Sequence, residues 1–82
     1  MYFVYILRSL TSGRYYIGHT QNVEQRLQYH NAGYSKALKN RGPWELLYTE
    51  SFASRGQAMK RERQIKSWKD RKLIEELVRA SR

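Results

Sequence analysis

The chain has 82 residues and no cysteine, which leaves room for a single small domain over residues 1–82 and fits a cytoplasmic setting, with no disulfide or thiolate metal site to reinforce the fold. No apolar run approaches the ~18 residues of a membrane span and no signal-peptide pattern opens the sequence, so a membrane is not among the expected partners. Sixteen Lys and Arg against seven Asp and Glu give a net charge of +9, an excess that favours a polyanionic partner, nucleic acid before others.

In chain order, YFVYILRS (2–9) is aromatic and β-branched and reads as a strand buried on both faces. LTSGR supplies turn residues and YYIGHT resumes the β pattern, so residues 2–20 predict a β-hairpin. Asn22, with Gln25 three residues on, marks a capped helix over residues 23–31. NAGYSKALKNRGPW is punctuated by Gly33, Gly42 and Pro43 and reads as a mobile basic loop, whose Lys36, Lys39 and Arg41 are candidates for gripping a phosphate backbone. WELLYTESF (44–52) is a third strand. Ser54 with Gln57 starts a helix running to about Trp68, and Asp70 opens a last one through residue 80, with Leu73, Ile74, Leu77 and Val78 as its apolar stripe. The order ββαβαα predicts a small α/β sandwich around a three-stranded, mainly antiparallel sheet, with the strand near residues 2–8 in its centre.

Charge is concentrated in the second half. From Arg55 to Lys72 eight basic residues stand against Glu62 and Asp70, a local net charge of +6. Arg55, Lys60, Arg63, Lys66 and Lys69 are therefore candidate nucleic-acid contacts, although a solvated helix face is the ordinary explanation of such a run. At 100° per residue, Arg26 and His30 fall side by side at the border of the first helix's sheet-facing side. Glu62 falls inside the apolar stripe of the second helix, among Ala58, Met59, Ile65 and Trp68. A carboxylate taken from water needs a cation. Arg26, a neighbouring lysine or a divalent metal could each supply it. Tyr5 and Tyr16 can face each other or sit diagonally across the hairpin, where cross-strand packing alone would account for them.

Five elements in order carry a resemblance. Phe3-Val4-Tyr5, Tyr16-Ile17-Gly18, RLQYHNAG, LLYTESF and AMKRERQIKSW together resemble the GIY-YIG endonuclease family over about residues 2–78, with the N-terminal nuclease domain of the excision-repair endonuclease C subunit as a similar member. The resemblance implies a metal-dependent endonuclease that hydrolyses phosphodiester bonds in repair or other processing, on DNA ahead of RNA. It implies Tyr16 as general base, Tyr5 assisting by a hydrogen bond, His30 relaying the proton and Arg26 bracing the phosphate, while Glu62 holds Mg²⁺ or Mn²⁺. Tyr15 would be packing only. The sequence departs from the family in having Phe3 for the first glycine of the signature, and in KLIEEL (72–77), where many members carry an asparagine. Two further readings compete. One is a basic nucleic-acid-binding module that keeps the fold without catalysis. The other is a subunit recruited by a larger assembly through an exposed Trp44, with the protein partner left open.

Overall fold

A computed structural model of the protein describes residues 1–34 and 42–81. The hairpin forms as β1 (Tyr2–Ser9) and β2 (Tyr15–Thr20), followed by α1 (Val23–Asn31), β3 (Trp44–Phe52), α2 (Arg55–Lys66) and α3 (Arg71–Ala80). The sheet has three antiparallel strands in the order β2-β1-β3, so β1 is central, as expected.

Local chemistry explains the boundaries. Asn22 Oδ1 accepts the Gln25 amide at 3.0 Å, Ser54 Oγ that of Gln57 at 3.2 Å and Asp70 Oδ1 that of Lys72 at 2.9 Å, so each helix starts on a side-chain cap. The second helix ends at Lys66, two residues earlier than its periodicity suggests. There the Ser67 hydroxyl donates to the Gln64 carbonyl at 2.6 Å, and the chain leaves the helix in time to place Asp70 for the next cap. Trp68 still packs against the core from outside the helix.

Strand alternation divides the interior in two. Val4, Ile6 and Ile17 face α2 and α3 and join Ala58, Ile65, Ile74 and Val78 in an aliphatic core. Tyr5 and Leu7 face the other way and pack with Trp44, Tyr16, Val23 and Leu27 under α1. Trp44 is only 4% exposed, which removes it as a recruitment surface. Its backbone is clamped by the Asn31 side chain, which donates to the Trp44 carbonyl at 3.1 Å and accepts its amide at 2.7 Å. Aromatic bulk at a strand start reads as exposed or buried alike in sequence, and here the end of α1 covers it. Among the described residues, no helix is long and apolar enough to cross a membrane.

Candidate active site

The register of the hairpin sets the first part of the site. Tyr5 pairs with Gly18 and Leu7 with Tyr16, so the two tyrosines lie diagonally on the α1 face, ring centroids 6.3 Å apart. The Tyr5 ring runs across the Gly18 backbone. A Cβ there would stand 2.5 Å from the Tyr5 hydroxyl, so no side chain fits while Tyr5 keeps its place. The glycine of Tyr16-Ile17-Gly18 is thus a seat for Tyr5 rather than a turn residue.

His30, in the last turn of α1, closes over the pair. Its Nε2 shares a 3.1 Å hydrogen bond with the Tyr5 hydroxyl, and its ring meets Tyr16 edge-on at 5.3 Å. Burial, and then the Arg26 charge, hold the imidazole below its ordinary value, so it is neutral at neutral pH. Burial also pushes the Tyr5 phenol far above its ordinary range, with Tyr16 and Glu62 adding to the shift and Arg26 opposing it. Tyr5 is a protonated partner, not a base. Among the described residues, His30 Nδ1 has no hydrogen-bond partner although it is buried. Arg26 is exposed one turn earlier, its guanidinium 5.3 Å from the centre of the Tyr29 ring.

Glu62 belongs to the opposite face. It is 17% exposed and accepts from His19 Nδ1 at 2.8 Å and from Lys66 Nζ at 3.0 Å. Of the cations open to it in the sequence, a neighbouring lysine is therefore one, Arg26 is not, and His19 is an addition. Burial pushes the carboxyl up, but the His19 and Lys66 hydrogen bonds and the charges behind them outweigh it and leave it below its ordinary value. Glu62 stays ionised. Lys66 also reaches Tyr16, its Nζ 5.9 Å from the ring centre. The two halves thus meet around β2, an edge strand, with the tyrosines on one side and the carboxylate on the other.

The sequence reading gave His19 no role. Strand alternation held the signal, because the residue after Gly18 must point toward α2, where Glu62 lies. An open cleft of about 400 Å³ adjoins the pair, lined by His19, Arg26 and Arg55 with Tyr2 and the Thr20–Asn22 turn. Arg55, Lys60, Arg63, Lys66 and Lys69 are all exposed, whereas Lys36, Lys39 and Arg41 lie outside the described residues. Tyr15 packs on the aliphatic side under the Arg71 guanidinium, 4.9 Å from its ring centre.

As for a metal, the described residues contain no group of three or more His, Cys, Asp and Glu that could hold one. A single ionised carboxylate nevertheless suits Mg²⁺ or Mn²⁺, which take one or two carboxylates and complete their shell with water and phosphate. The donor set fits on those terms.

The UPF0213 protein of Staphylococcus haemolyticus is 42% identical over 79 residues, covering 92% of this chain and 95% of its own length. That of the archaeon Halobacterium salinarum is 43% identical over 67 residues, covering 80% and 86%. The solution NMR structure of the UPF0213 protein from Bacillus halodurans, 35% identical, superposes with a TM-score of 0.61 over 98% of this chain and 85% of that one. The family described as the GIY-YIG catalytic domain matches residues 1–75, which include both tyrosines, Gly18, Arg26, His30 and Glu62. The chain is a member of that family, the GIY-YIG nucleases.

Proposed function

We propose that the protein is a divalent-metal-dependent endonuclease acting on nucleic acid, DNA ahead of RNA, in repair or related processing in the cytoplasm. The observation that carries this reading is the packing of Tyr16 against neutral His30, beside a pinned Tyr5 and an exposed Arg26. Cross-strand packing alone would not require a glycine kept bare beneath the Tyr5 hydroxyl.

Phosphodiester hydrolysis needs an activated water, support for charge on phosphorus and help for the leaving oxygen. Tyr16 is the residue to take the proton from water. A phenol is a weak base at neutral pH, and the Lys66 ammonium stands 5.9 Å from the Tyr16 ring centre, on the side where the metal and phosphate would gather. Tyr5, held protonated, fixes His30 by their shared hydrogen bond and so fixes the edge against which Tyr16 rests. Arg26 offers a forked donor for two phosphate oxygens. Glu62 would hold the metal ion, which when bound supplies Lewis-acid stabilisation of the leaving oxygen. His19 keeps the carboxylate oriented, while the more exposed Lys66 is free to leave it.

One observation favours a binder without catalysis, namely that both Glu62 oxygens already accept hydrogen bonds from the protein. The discriminating assay incubates the purified protein with Mg²⁺ or Mn²⁺ and plasmid, single-stranded, branched or RNA substrates, beside Tyr16→Phe. The expected result is cleavage by the native protein and a loss of about 10²- to 10⁴-fold in the variant. A native protein that cuts none of them with either metal leaves the binding module as the better account.

A further inference from the structure

At the far end of α1 the chain carries two exposed aromatic rings that the site above does not use. Tyr34 is 71% exposed and Tyr29 41%. Their rings lean together at 5.7 Å with a 33° tilt, and the Arg26 guanidinium lies 5.3 Å from the Tyr29 ring centre. We propose that Tyr34, backed by Tyr29 and Arg26, is a stacking platform for an unpaired nucleobase of the bound strand, close to the phosphate that reacts. The proposal rests on the nuclease reading for the identity of its ligand as nucleic acid.

The platform is built by the helix end. Gly33, at φ 84°, lets the chain turn back. The Tyr34 amide then donates to the Tyr29 carbonyl at 3.3 Å and the Gly33 amide to that of His30 at 3.1 Å. This is the paired-bond ending that joins residues on either side of a helix C-terminus through a side-chain contact. A leucine in place of Tyr34 would satisfy that contact. Two tyrosines do more, since the Tyr29 hydroxyl also donates to the Tyr34 carbonyl at 3.2 Å. The Tyr34 backbone is thus bonded at both its amide and its carbonyl to Tyr29. Its ring leans on the Tyr29 ring while staying open to water, which lowers the cost of ordering it on binding.

Position gives the platform its meaning. Tyr16, His30, Tyr29 and Tyr34 form a row, with successive ring centres 5.3, 5.8 and 5.7 Å apart. A strand whose phosphate meets Arg26 would bring a neighbouring nucleotide over this row. Bases inside a duplex already stack on both sides, so an aromatic platform engages those that are unstacked. The expected substrates are single strands, gaps, flaps and loops. Every base has a π face, so the platform selects structure without selecting sequence.

Fluorescence anisotropy without divalent cation separates binding from cleavage. The probes are a labelled thymidine strand, an abasic strand with the same number of phosphates and a blunt duplex, at one salt concentration. The native protein should bind the thymidine strand about tenfold more tightly than the abasic one. Tyr34→Leu should erase that difference and leave duplex binding unchanged, and Tyr34→Trp should keep it. Equal binding of thymidine and abasic strands by the native protein overturns the platform and leaves the nucleic-acid reading standing. The same holds if Tyr34→Leu retains the full preference. Binding of no probe, at that salt concentration or a lower one, overturns both. The native comparison decides the matter whatever Tyr34→Leu does to folding, which a melting curve records.

Discussion

The two sides of the sheet are built to different rules. Toward α2 and α3 the buried residues are Val4, Ile6, Ile17, Ala58, Ile65, Ile74 and Val78, all aliphatic. Toward α1 the buried set includes Tyr5, His30 and Trp44, and two of its polar atoms, His30 Nδ1 and Trp44 Nε1, have no partner among the described residues. The aliphatic side carries the larger buried apolar cluster, and the aromatic side places polar groups among its buried rings.

The largest test of this division is Glu62→Gln, because Glu62 stands on the aliphatic side and yet is proposed to serve the site. Cleavage should fall by orders of magnitude, since metal-assisted stabilisation of a leaving oxygen contributes several kcal/mol. Mn²⁺ should raise the melting temperature of the native protein and leave that of the variant unchanged. If the carboxylate serves only its ion pairs with His19 and Lys66, the variant loses stability, and Mn²⁺ has no effect on either protein.

Next in size is Ile65→Ala, a cavity at a fully buried aliphatic position. It should cost about 2–5 kcal/mol in denaturant unfolding. Activity per folded molecule should not change. A loss of activity beyond the loss of folded protein would show that the two sides are not separable.

Gly18→Ala reverses that pattern. The added methyl would meet the Tyr5 hydroxyl at 2.5 Å, so Tyr5 must move and its bond to His30 must break. Overpacking of this kind costs about 1–3 kcal/mol. Activity should fall by more than the unfolded fraction explains. Gly18→Ala combined with Tyr5→Phe removes the oxygen at 2.5 Å but leaves the ring carbon Cζ at 2.7 Å, so it should recover neither full stability nor activity.

The smallest effect is that of pH. His30 and Glu62 both titrate below their ordinary values in the folded chain. The unfolded chain therefore binds more protons as pH falls, and stability must fall with it. The loss should begin as pH drops below His30's ordinary 6.5 and deepen below Glu62's ordinary 4.5. Thermal melts of the native protein and His30→Gln should diverge in slope between these two values. Parallel curves there would mean that His30 is not the buried neutral group described.

Much of this was legible in the residues alone, for a physical reason. Caps at Asn22, Ser54 and Asp70, the turn after Ser9 and the apolar periodicity of α3 depend on neighbours a few positions away. Alternation along β1, equally local, sets its residues on two faces. The order of elements and the central place of β1 followed from these local signals and from the family resemblance. Tertiary structure decided the rest. Glu62 and His19 are 43 positions apart and Asn31 and Trp44 are 13 apart, and no periodicity links such pairs. Whether Trp44 is covered depends on where the end of α1 docks. The close approach of Tyr5 to Gly18 exists only because the hairpin register puts Tyr5 across from it. A sequence specifies which groups are present and how each segment curls. Only packing, in which distant segments compete for the same space, decides which of those groups meet.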